Sequence, residues 1–444
     1  MAVTMASLAA AAAYGGGPVI LLCGIPMLII ANSYRRLNLW NANCGASFEW
    51  VGRAINPYLG FMTGWLMLAG YVVGTISVVV VLAPAVLAVF GATAASAWPN
   101  IGISTALIIV MLAIAVAGIR ITARTQVAMA VFEYIVLIGV SIWGLVFVLT
   151  HHAGTFPITS GWFSLSGIGG KGDLAAGLLI AVFMYSGWDA TIYVNEEVKH
   201  RRVNPGRAAL FAVAILIVLY ILPQMGLQGV SSPAKLQANS ASALIYVTQV
   251  LGGGGWAKLM AVALVLSVIA STGTGIVASS RISYGMASHR VLPFVFGQIS
   301  RRFNTPAIGS IIIAAILIAA TWAYLLSTSI ANVFTDVVSV TGLLFACFYV
   351  LTALAAIVYY RRQIFSRIWD SVVIGILPLG SAAFLVWVVV KSLQNAPNAQ
   401  RYALAGIVAV GLVMMVIARF GMQSEFFRLP RESAPRSTGG QHRS

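Results

Sequence analysis

Two carboxylates stand where an apolar chain has little reason to keep any. Of ten acidic residues in 444, only Asp189, in "FMYSGWDATIYVNEEVKH" (183–200), and Glu133, in "VFEYIVL" (131–137), fall well inside long apolar runs. A charge at that depth is expensive and marks ligand, ion or proton chemistry. Asp189 follows Ser186, Gly187 and Trp188, so regular helix is expected to unwind there. Backbone in hydrocarbon stays unwound only where it lines a cavity or binds something, and Gly187 tolerates the dihedrals a break requires. The carbonyls released from Phe183, Met184 and Tyr185 would form the negative end of a half-helix, suited to an ammonium group. The same Ser-Gly pair also reads as a close helix–helix contact.

Tyr185 and Trp188 flank the break, either as walls or gates acting through apolar and cation–π contact or as ordinary packing aromatics. Asp189 has two readings as well. It takes up and releases a proton as the site alternates between solvents, or it caps the amides that open the next half-helix, 190–198. Glu196 and Glu197 begin the exit beside Lys199, His200, Arg201 and Arg202. That arrangement makes either a salt-bridged inner gate or a solvated interfacial cluster.

The elements that position these groups follow from composition. Hydrophobic residues are 60% of the chain and charged residues 8%, with a mean hydropathy of +0.94. An all-α integral membrane protein is implied, in contact with lipid. Eleven apolar spans are expected, at 15–33, 58–90, 102–119, 125–149, 174–198, 206–230, 256–288, 306–327, 332–359, 370–391 and 403–420. A formal charge of +16 could suggest a nucleic-acid partner, but 21 of the 26 Lys and Arg fall in alternate loops. They mark the cytoplasmic side, place the carboxyl end there and exclude nucleic acid. The polar, basic segment 422–444 is expected to be a disordered cytoplasmic tail.

Other chemistries find no footing. Cys23, Cys44 and Cys347 are scattered without metal-ligand spacing and read as packing residues. His151 and His152 lack an acidic or cysteine partner and read as interfacial, so no metal is expected. "GGKGD" (169–173) lacks phosphate-loop spacing, and no hydrolase or metalloprotease motif lies within the spans. The chain is therefore expected to be neither an enzyme nor an ATPase.

The opening "MAVTMASLAAAAAYGGGP" is too short and too glycine-rich to cross a bilayer, though half a helix would fit. Spans 58–90 and 256–288 are both unusually long. Corresponding irregularities of this kind mark the inverted five-helix repeats of secondary transporters.

At this point the residues resemble the amino acid permeases of the amino acid–polyamine–organocation superfamily, which have the LeuT-type fold. "AYGGGPVILLCGIPMLIIANSYRRL" (13–37) is similar to that family's second helix, and "CGASFEWVGRAINPYLGFMTGWLMLAGYVVG" (44–74) to its loop and long third helix. "YSGWDATIYVNEEVKHRRVNPGRA" (185–208) resembles the broken sixth helix with its acidic exit, and "ASSRISYGMASHRVLP" (278–293) the end of the eighth. The resemblance implies twelve helices, so eleven spans equal the pattern minus the first. On that reading residues 1–421 are the transporter domain: 1–149 a first repeat lacking its first helix, 174–359 the second repeat, and 370–420 two additional helices. It also implies that carbonyls of the broken sixth helix hold a substrate amine and that backbone amides at a break in the first helix, at or before Met1, hold its carboxylate. Glu133 stands where some proton-coupled members carry a lysine in place of a bound sodium ion. Beside Ser271, Thr272 or Thr274 it either coordinates Na⁺, which prefers such oxygens, carries H⁺, or simply bonds a neighbouring helix.

The expected function is secondary active transport of amino acids or related amines by alternating access. H⁺ is the first coupling ion and Na⁺ the second, with no other cofactor. The alternatives are a polyamine/amino acid exchanger and a truncated, non-transporting protein on a permease fold. The particular substrate and the oligomeric state are not specified.

Overall fold

The computed structural model describes residues 2–92, 97–150, 156–169, 172–239, 243–327 and 330–435. With no water to bond its backbone, each membrane-crossing segment must satisfy its own N–H and C=O groups, and helix is the local solution. The described residues form helices and no strand.

In chain order α1 (Ala2–Ala12) leads through a tight turn, Ala13–Gly15, into α2 (Gly16–Trp40); α3 (Ser47–Ala54) then precedes α4 (Pro57–Val79) and α5 (Leu82–Val89). Helices α6 (Ala97–Ala117) and α7 (Ile119–Leu149) follow. Next come α8 (Leu174–Met184), α9 (Ala190–Tyr193) and α10 (Asn204–Val230), then α11 (Pro233–Ala238), α12 (Ala243–Gly252) and α13 (Gly254–Ser288). Helices α14 (Ala307–Ser327), α15 (Ile330–Ile364) and α16 (Ile368–Asp370) lead through π-helical Ser371–Ile376 to α17 (Leu377–Asn395) and α18 (Asn398–Val416).

Local chemistry sets several of these ends. The Asn56 side chain accepts from the Tyr58 amide at 2.8 Å while Pro57 takes the first helical position of α4, where its missing N–H is not needed. Asp173 caps α8 by accepting from the amides of Ala175 and Ala176 at 2.8 and 3.1 Å.

Among the described residues ten helical segments are long and apolar enough to cross a membrane, not the eleven expected. The difference is the segment 174–198, which is two half-helices with a gap between them. The expected span 58–90 is also interrupted, by a turn at Val80 and Val81 between α4 and α5. Half a helix does precede residue 13: α1 packs against α8, α11 and α12, with Met5, Leu8 and Ala9 fully buried.

Helices α4, α13 and α15 form the middle of the bundle. Their most apolar stretches are 50%, 61% and 78% buried, against 11% for α18, whose sides face outward. A helix apolar on all sides must be buried in protein or bathed in lipid; α15 and α18 are the two cases.

The tail departs from expectation over 422–435, which is packed rather than disordered. Phe426 and Phe427 are 2% and 7% exposed. Phe426 stacks on Phe48 with centroids 4.2 Å apart, Arg53 pairs with Glu432 at 2.8 Å, and the Ala434 amide donates to the Tyr359 carbonyl at 2.8 Å. Apolar residues inside a polar segment supplied the burial that composition alone did not register. The remainder of the tail, 436–444, and the pair His151 and His152 lie outside the described residues.

Candidate functional site

The break opened by Ser186 and Gly187 is present. Helix α8 ends at Met184, a run of turns covers 185–189, and α9 begins at Ala190. Gly187 has φ +98°, a conformation that strains any residue bearing a Cβ. Two of the three carbonyls expected to be released are engaged within the protein. Phe183 O accepts from the Ser186 amide and hydroxyl at 2.9 and 2.6 Å, and Met184 O accepts from the Tyr220 hydroxyl.

Asp189 does not face an open site, and its placement in a substrate-binding set is corrected here. It is fully buried, with Oδ1 accepting from the hydroxyls of Tyr71 on α4 and Tyr349 on α15, both at 2.9 Å. Oδ2 accepts from Tyr193, one turn further along its own segment. A buried carboxylate is tolerable only when its lone pairs are filled, and three phenols from three elements fill them. The acid thereby ties the broken segment to two of the three central helices. The N-cap reading fares no better, since the Asp189 side chain bonds no amide at the start of α9.

Beside the break lies a cavity of about 500 Å³. Phe183, Met184, Ser186, Gly187 and Trp188 line it; Tyr185 and Asp189 do not. Tyr185 is instead buried, donating to the Ile20 carbonyl at 3.1 Å. Trp188 stacks on Tyr349 and meets Tyr34 edge-on, at 5.3 and 5.0 Å between centroids. Its indole N–H is buried without a partner.

Glu133 on α7 lines the same cavity, and so do Ser271 and Thr274 of α13, as does the neighbouring Ser267. These three hydroxyls recur at i, i+4 and i+7, one face of a helix. Thr272 does not join them: it is buried, with its hydroxyl turned back to the Val268 carbonyl at 2.8 Å. Thr274 is partly occupied, accepting from Gln126 at 3.1 Å and donating to Ala270 O at 3.0 Å.

The acidic exit is held on two sides. Glu197 pairs with Arg281 of α13 at 2.9 Å, where the arginine is 2% exposed. Glu196 accepts from the Cys44 amide at 3.1 Å, in the loop between α2 and α3.

Sequence reasoning missed the tyrosines around Asp189. Tyr193 was within reach of it, four residues on, but nothing in the order of residues pairs position 189 with 71 or 349. Thr4, Tyr134, Ser267 and Tyr220, which also line the cavity, were missed for the same reason.

Comparison with known proteins extends the geometry. A family model described as amino acid permease matches residues 1–417. An arginine/ornithine antiporter of Lactococcus lactis is 21% identical over 324 residues, covering 68% of this chain and 65% of that protein's length. A D-serine/D-alanine/glycine transporter of Escherichia coli is 23% identical over 351 residues, covering 78% and 73%. A methylthioribose transporter of Bacillus subtilis is 23% identical over 314 residues, covering 66% and 65%. Among solved structures, a manganese transporter of Eremococcus coleocola superposes with a TM-score of 0.59 at 12% identity, covering 96% of this chain and 91% of that one; at that identity the likeness shows the shared LeuT-type fold. With nearly its whole length matched, the chain belongs to the amino acid permease family, a family of membrane transporters rather than enzymes.

Proposed function

We propose that the protein is a secondary active transporter that moves amino acids or related amines across the cytoplasmic membrane by alternating access, coupled to H⁺. The observation that carries this reading is the cavity at the broken helix, whose volume suits a small solute. Among its described lining residues only Glu133 bears a charge. Its place between the break and α13 fits a midplane site between two repeats, 1–149 and 174–359, that rock against each other. The basic loops face the cytoplasm, as does the packed tail.

In this scheme a substrate carboxylate meets the amino-terminal end of α1, where Thr4 lines the cavity, and its amine meets the carboxyl-terminal end of α8. Glu133 carries the coupling proton. Asp189, sealed by its three phenols, positions the break instead. Glu196 and Glu197 form the inner gate, opening when the Arg281 pair and the Cys44 contact release.

A second reading, exchange without net ion coupling, is favoured by the antiporter among the relatives. Proteoliposomes separate the two. Uptake into empty vesicles that depends on an imposed pH gradient supports coupling. Uptake that instead requires internal substrate and ignores the gradient supports exchange, and no uptake under either condition overturns the transport reading.

A further inference from the structure

We propose that the substrate carries a second positive charge on its side chain, as basic amino acids and aminoalkyl amines do, and that Glu133 is its counter-ion. This deepens the transport reading above and rests on it.

The described lining of the cavity offers one carboxylate and no Lys, Arg or His. The other polar groups around Glu133 are hydroxyls, including Ser267 and Ser271. The four ion pairs among the described residues are Arg53–Glu49, Arg53–Glu432, Arg281–Glu197 and His289–Glu49, so Glu133 has no cationic partner there. A carboxylate in a largely desolvated cavity is stabilised when a cation arrives, and an ammonium needs three acceptors. Glu133 with Ser267 and Ser271 can supply them.

The two ends of an amino acid are already provided for elsewhere. The end of α8 suits an α-ammonium and the start of α1 a carboxylate, which leaves Glu133 with no role in binding the backbone of a neutral amino acid. A neutral side chain would leave that acid unpaired or protonated. A cationic one pairs with it.

The same geometry fixes the sign of coupling. A protonated Glu133 cannot pair with an ammonium, so a cationic substrate binds as the proton departs: the O–H bond breaks, the proton goes to solvent, and the carboxylate takes the N–H donors. Proton and substrate then occupy Glu133 in turn, and the coupled movement is antiport.

The test uses isosteres on the purified full chain. Lysine and norleucine differ by an ammonium against a methyl, and arginine and citrulline by a charged against a neutral head. Titration calorimetry is expected to give lysine an affinity about 10- to 100-fold above norleucine, the range for a hydrogen bond to a charged group. Binding should release a proton into weak buffer, and in Glu133→Gln the discrimination should fall below about threefold. Norleucine binding as tightly as lysine to the wild type overturns the proposal without any variant being needed, and so does discrimination that survives intact in a monodisperse Glu133→Gln. Norleucine or another neutral amino acid transported in preference to lysine overturns the substrate class while leaving transport standing. Tight, Glu133-dependent lysine binding with no movement across the bilayer upholds the class and overturns transport.

Discussion

Tyr349→Phe removes one of two hydroxyls on Asp189 Oδ1, each 2.9 Å away. Losing a buried hydrogen bond to a charged acceptor costs about 1.5–3 kcal/mol. Scaled to 444 residues, an unfolding entropy of about 2.1 cal/mol/K per residue gives roughly 0.9 kcal/mol per degree, so the midpoint falls by about 2–3 °C. Asp189→Ala strands three buried hydroxyls at about 1–3 kcal/mol each, and its midpoint falls by roughly 3–10 °C. The decisive quantity is the cycle. In the Asp189→Ala background the Tyr349 hydroxyl has no acceptor left, so Tyr349→Phe there should produce no further loss or a small gain. Tryptophan fluorescence melting of the four detergent-purified proteins measures this. Equal drops in both backgrounds would show that Tyr349 and Asp189 act independently and would refute the cage as the device holding the broken segment.

Other outcomes follow from single contacts. Glu133→Gln should abolish pH-gradient-driven uptake in proteoliposomes while the protein still inserts; gradient-driven uptake at the wild-type rate removes Glu133 from coupling. A Cβ on Gly60 would sit 2.5 Å from the Gly52 Cα, backbone that cannot yield, so Gly60→Ala should cost about 1–3 kcal/mol and lower the melting midpoint. Phe426→Ala should cost about 3 kcal/mol of local packing and speed tryptic cleavage at Arg428 and Arg431; unchanged digestion would show that the packed tail does not depend on that ring. Burial pushes the Glu49 carboxyl up, but the His289 and Arg53 charges and the bonds from His289 and Asn41 outweigh it and hold it below its usual 4.5. A carboxyl depressed by folding stabilises in full above the usual value, and that stability is lost as pH falls through the lower folded value. Melting midpoints should therefore drop below about pH 4.5, and Glu49→Gln should flatten that limb.

Much of this protein is legible in order and composition because the bilayer imposes a one-dimensional rule. A segment that crosses hydrocarbon must be apolar over its full length and helical throughout, so the spans, their breaks and the lone Glu133 stand out along the chain. Ser186-Gly187 announced the interruption because such a pair supports helix poorly, and Gly187 does adopt a left-handed φ. What Asp189 faces was not legible. Its depth made it a candidate ligand or proton carrier, yet Tyr71 and Tyr349, 118 residues before it and 160 after, enclose it. Burial and pairing depend on which helix faces meet, and helices that are apolar on every side carry little record of which face turns inward. The packed tail teaches the same lesson in reverse: a polar segment with two adjacent phenylalanines gains order only from the surface that Phe48 and α3 present to it.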